Sequence, residues 1–152
     1  MKKKIPAILA AMLLTFGISV VSAAPSFAST TQVRCAYVKN FVIPGGYGTV
    51  NVPARLTNGQ KFADCILYKN QTIPANIATT TLQQGLITCA QLGSVVGSAD
   101  GVYGPNTESA VYLLQRQTGR IADGVYGNDT KEIAPMVGNP SSVCYALPAD
   151  TY

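Results

Sequence analysis

The sequence contains no histidine, and that absence removes whole classes of chemistry. Without imidazole there is no Ser-His or Cys-His pair to activate a nucleophile, and none of the zinc ligation by imidazole that many peptide-cleaving enzymes use. No Cys-x-x-Cys links any two of the four cysteines, so a thiolate metal site is not expected either. Neither Gly-x-Ser-x-Gly nor Ser-x-x-Lys occurs. Charge is also scarce, at 12% of residues. Of the eleven basic residues three are Lys2, Lys3 and Lys4, which leaves eight against seven acidic ones. No basic patch remains to support nucleic-acid binding. A glycosidase needs only two carboxylates, and Asp64, Asp100, Glu108, Asp123, Asp129 and Glu132 are available. The turn chemistry below accounts for two of them, and the chain is read as non-enzymatic, with no cofactor and no metal.

The leading segment has its own logic. Three lysines precede an apolar stretch from Ile5 to Val21, and Ser26-Phe27-Ala28 is a small-x-small cleavage site. Residues 1–28 are expected to be a signal peptide, with Ala23 as the alternative cleavage point. Pro6, Thr15, Gly17 and Ser19 interrupt the apolar run, which is short for a membrane span. Cys35 follows Gln32-Val33-Arg34 rather than the small residues of a lipoprotein site, and no apolar tail follows Leu147-Pro148-Ala149-Asp150-Thr151. The exported chain is therefore expected to carry no anchor and to leave the membrane. It retains about 124 residues, enough for one compact domain.

Four cysteines in an exported chain suggest two disulfides and allow three connectivities. Cys35 with Cys65 and Cys89 with Cys144 is the expected pairing, because each bond then brackets one half of the exported chain.

Residues 29–72 read as a small β-rich unit. Val33 to Val42 is rich in β-branched and aromatic residues, Pro44-Gly45-Gly46 is a turn, Thr49 to Val52 alternates, Asn58-Gly59 is a hairpin signal and Phe62 to Tyr68 is apolar again. Residues 73–138 read as helical. Leu82, Leu86 and Cys89 lie at helical spacing within 75–90, where the first helix is expected, and residues 139–152 read as a tail and loop that returns Cys144 to the bundle.

The helical part is organised around a repeat. Ala-Asp-Gly-Val-Tyr-Gly-Pro-Asn-Thr from Ala99 returns from Ala122 as Ala-Asp-Gly-Val-Tyr-Gly-Asn-Asp-Thr. Each Asp-Gly pair predicts a tight turn with glycine at positive φ. Pro105 suits the first turn of a helix, so a helix is expected from about residue 105 to Gly119, with Ala110, Val111, Leu114 and Thr118 inward and Glu108, Ser109, Tyr112 and Arg116 outward. A second, short helix is expected near Asn128, stopped by Pro135. A calcium reading of the Asp turns fails, because Val102 and Val111 stand where an EF-hand loop needs acids.

Two Asp-Gly-Val-Tyr-Gly turns around a helix with a Leu-Gln pair, preceded by Leu82-Gln83, resemble the small peptidoglycan-binding domain of bacterial cell-wall proteins. The resemblance covers roughly Ile73 to Gly138. It implies a mostly α fold, a three-helix bundle, to which the disulfide-stapled β unit is added at the N-terminal side. It also implies peptidoglycan as the partner, bound in a shallow groove between helices. Tyr112 and Arg116, on the outer face of the helix that starts near residue 105, are the expected ligand residues, a ring for a glycan face and a guanidinium for a stem-peptide carboxylate, with packing of that face against the β unit as the structural alternative. Tyr103 and Asn106 mark the alternative groove, although Tyr103 and Tyr126 also fit the core. The competing reading is a secreted protein-interaction or inhibitor module that binds another protein, such as a wall enzyme.

Overall fold

The computed structural model describes residues 33–69, 74–140 and 143–148, so the segment read as a signal peptide lies outside the described residues. The N-terminal part forms the expected strands. β1 (Tyr37–Val42) pairs antiparallel with β2 (Thr49–Thr57) in the register Tyr37↔Ala54 to Val42↔Thr49. Asn58 and Gly59 both take positive φ, 51° and 77°, and turn β2 into β3 (Gln60–Phe62). That is the geometry for which an Asn-Gly pair is suited.

Four helices follow. α1 (Ile77–Thr88) is capped by Asn76, whose side chain accepts a bond from the Thr79 amide at 2.9 Å. α2 (Gly93–Val96) is a single turn. α3 (Pro105–Gln117) starts on its proline, and α4 (Asn128–Lys131) is short. On α3, Ala110, Val111 and Leu114 are buried while Ser109, Tyr112 and Arg116 are exposed. Thr118 differs from expectation: it is exposed, and its hydroxyl donates to the carbonyls of Leu114 and Gln115 as the helix closes.

The expectation of a mostly α fold built on a three-helix bundle is overturned. Among the described residues the architecture is α plus β: four helices stand against a five-stranded antiparallel sheet in the order β1-β2-β4-β5, with β3 paired to β2. The end of the segment read as helical supplies β4 (Met136–Asn139), the tail read as a loop supplies β5 (Cys144–Tyr145), and β4 pairs with the start of β2 through Thr49↔Asn139 and Val50↔Gly138. The physical reason is an edge. A short hairpin leaves β2 with unpaired backbone groups, and the returning chain satisfies them.

The sheet packs on α1. Val50 and Val52 of β2, Leu82 and Leu86 of α1, and Met136 of β4 share one core with Val111 and Leu114 of α3. Gly85 lets this happen, because a Cβ there would stand 2.3 Å from the Pro135 carbonyl oxygen. The disulfides join Cys35 to Cys65 and Cys89 to Cys144, the pairing expected. The second ties the end of α1 to β5.

Candidate functional site

Each Asp-Gly turn is assembled around a buried glutamine from a helix earlier in the chain. Gln83 of α1 donates from Nε2 to Asp100 Oδ1 (2.9 Å), to the Val102 carbonyl (3.1 Å) and to Thr107 Oγ1 (3.0 Å), while its Oε1 accepts from the Gly101 amide (2.8 Å). Gln115 of α3 repeats the pattern, donating to Asp123 Oδ1 (2.8 Å), the Val125 carbonyl (3.0 Å) and Thr130 Oγ1 (2.8 Å) and accepting from the Asp123 and Gly124 amides. In both copies the aspartate Oδ1 also accepts from the valine amide two residues on. Gly101 and Gly124 take φ of 79° and 70°, as an Asp-Gly turn requires. The Gln83 amide, followed by the Val102 amide, holds the Asp100 carboxyl below the usual carboxylate range.

This arrangement fixes what the tyrosines do. Tyr103 and Tyr126 are buried at 7% and 0% exposure, and the Tyr103 hydroxyl donates to the Gly124 carbonyl at 2.8 Å. Burial raises the Tyr103 pKa, so the phenol stays protonated and keeps donating. The Tyr103 ring is therefore a brace between the two repeats.

The other three expected site residues lie in two places. Tyr112 and Arg116 are exposed one turn apart on α3. Tyr112 lines a depression of about 340 Å³ together with Glu108, Leu113 and the second Asp-Gly turn. Asn106 instead lines a cavity of about 350 Å³ beside the first turn, with Gln83, Val96, Asp100 and Gly104. A repeat-related cavity of about 330 Å³ lies beside the second turn, lined by Gln115, Asp123, Val125, Gly127 and Asp129.

Gln83 and Gln115, with Thr107 and Thr130, organise the turns; the sequence reading used the Leu-Gln pairs only as marks of a resemblance and gave none of these residues that role. A signal existed. Both glutamines follow leucine, and each threonine stands at the same position of its repeat, so identity beyond the turn itself marked a partner of the turn.

With the geometry described, the chain can be set beside known families. Residues 78–133 match the model of the family described as "Putative peptidoglycan binding domain", which bears out the resemblance read from the turns. The matched segment contains both glutamine-centred turns, and all five strands fall outside it. No curated protein and no solved structure matches the chain.

Proposed function

We propose that this is a secreted, non-catalytic bacterial protein that binds cell-wall peptidoglycan and resides outside the cell or at the wall. The observation that carries this reading is the match over residues 78–133 to a peptidoglycan-binding family, coincident with the paired turns. Two disulfides suit an oxidising compartment. Tyr112 and Arg116 are exposed on α3 while the sheet packs against α1, which supports their access to a large polymer. A ring and a guanidinium one turn apart suit a glycan face and a stem-peptide carboxylate. Co-sedimentation of the purified protein with insoluble peptidoglycan tests the reading. Protein that stays in the supernatant at every concentration sinks it.

One observation favours a second reading, in which the protein engages another protein such as a secreted wall enzyme. Val42 and Tyr47, at the β1–β2 connection and outside the matched segment, are 76% and 68% exposed. Failure to sediment would favour that reading over the first.

A further inference from the structure

Gly104 and Gly127 occupy the same position of the two repeats, and neither backbone nor packing requires glycine at either. Their φ values are −90° and −133°, which any residue adopts, and a Cβ at either would meet nothing within 4 Å. Each immediately precedes a helix, where Ser, Asn or Asp would serve as well or better through a side-chain cap. What glycine alone preserves there is open space, and in both repeats that space belongs to a cavity, about 350 Å³ in the first and about 330 Å³ in the second. Both volumes fall within the range of small-molecule sites, roughly 300–1,000 Å³.

The linings decide the class of ligand. Neither cavity is lined by lysine or arginine, so neither offers a phosphate or a free carboxylate its usual partner. Each presents an aspartate whose Oδ1 is fixed by a glutamine amide and a valine amide, and whose second oxygen lies outside that lattice. Beside it stand an amide side chain, Asn106 or Asn128, and an aliphatic wall of Val96 and Val102 or of Ile121 and Val125. A pre-oriented carboxylate accepts from hydroxyls and amide N–H groups, and an aliphatic wall accepts the C–H face of a ring. Sugar units of an uncharged, hydroxyl-rich glycan provide all three.

We infer that the two repeat-related cavities are equivalent subsites, each seating one short segment of neutral glycan, separate from the Tyr112 and Arg116 face. The inference rests on the peptidoglycan reading for the identity of the polymer, and it assigns the glycan strand, rather than the stem peptide, to the cavities.

The test is an NMR titration of the isotope-labelled full chain with N,N′-diacetylchitobiose, a neutral disaccharide of N-acetylglucosamine that carries no lactyl carboxylate, and separately with the free stem peptide. The disaccharide is expected to shift amides around both Gly104 and Gly127 and to saturate at two molecules per chain. Gly104→Asn should abolish the first set of shifts and Gly127→Asn the second, each at unchanged melting temperature. Stoichiometry on the wild type decides the matter without any variant. Shifts from the stem peptide alone at these amides, or disaccharide binding that both variants retain, would overturn the inference. Protein that sediments with whole peptidoglycan yet shows no disaccharide shift at either turn would overturn it too, and would leave the wall-binding reading intact. Disaccharide shifts at both turns in a protein that fails to sediment would uphold the subsites while removing the wall.

Discussion

The hydroxyl of Tyr103 donates to the carbonyl of Gly124 at 2.8 Å, so the aromatic residue of the first repeat closes on the turn of the second. Tyr103→Phe keeps the ring and strands that buried carbonyl. A loss on the order of 1 to 2 kcal/mol is expected, read as a fall of roughly 4 °C per kcal/mol in thermal melting. An unchanged melt would mean that water replaces the phenol.

The glutamines carry a sharper expectation. Gln83→Glu keeps the size of the side chain but sets a carboxylate opposite Asp100 Oδ1, where Nε2 now donates at 2.9 Å. Repulsion raises the folded-state pKa of the new acid above its unfolded value. Its stability contribution is then full below the unfolded pKa and is lost as pH rises through the folded one. The variant should melt well below wild type at pH 7 and approach it near pH 4. Parallel melting curves at both pH values would show that the Gln83 amide is dispensable.

Wild-type Asp100 titrates in the opposite sense. Its folded pKa is depressed, chiefly by Gln83 and then by the Val102 amide, so the stability it adds is present above its unfolded pKa and is lost as pH falls through the depressed value. Asp64, held down by Arg55, has the same sign. Melting temperature should therefore fall below the ordinary carboxylate range, and Asp100→Asn should flatten that part of the profile. A profile left unaltered by Asp100→Asn would locate the acid sensitivity elsewhere.

The two classes of repeat glycine should part company under substitution. A Cβ on Gly101 would stand 2.9 Å from Thr80 Oγ1, and one on Gly124 would stand 2.8 Å from Glu108 Cγ, both at positive φ. Val at either position should cost roughly 1 to 3 kcal/mol in strain alone. Ala at Gly104 or Gly127 should stay within about 1 kcal/mol of wild type. Equal melting temperatures across the four variants would contradict the turn geometry.

On the outer face of α3, Tyr112→Ala and Arg116→Ala should each weaken peptidoglycan binding by about 1 to 3 kcal/mol without unfolding the protein. Val111→Ala, fully buried in the same helix, should lower stability by about 2 kcal/mol and affect binding only through it. Co-sedimentation paired with melting separates the two effects. Outer-face variants that fold and bind as wild type would move the polymer site to the cavities.

Local chemistry was legible in the sequence wherever one residue type dictates one conformation. Asn58-Gly59, Asp100-Gly101, Asp123-Gly124 and Pro105 each act within a few residues, and the structure places a turn or a helix start at each. The disulfide pairing, over separations of 30 and 55 positions, was expected on a different ground, that each pair brackets one half of the exported chain. What stayed hidden was non-local. Met136 to Tyr145 is too short and mixed to announce strands, and it becomes sheet only because β2 presents an edge to it. Gln83 is legible as half of a Leu-Gln pair, but not as the residue that holds the turn at Asp100. The burial of Tyr103 and Tyr126 was legible, but the partner of the Tyr103 hydroxyl, the Gly124 carbonyl 21 positions along the chain, was not, because no periodicity encodes it.

The pairing of Thr49 with Asn139 bears on how the molecule comes to exist. The strand opened near the front of the chain is completed by almost its last described residues, with every helix synthesised in between. Closing so large a loop is entropically costly until the helices have condensed and shortened it. A polypeptide emerging front end first must hold a half-finished sheet with an open edge until the final segment arrives. The helical segment would then serve as a folding template for its own flanks, and a chain cut short before Met136 would be left with an exposed strand edge prone to pair with its neighbours.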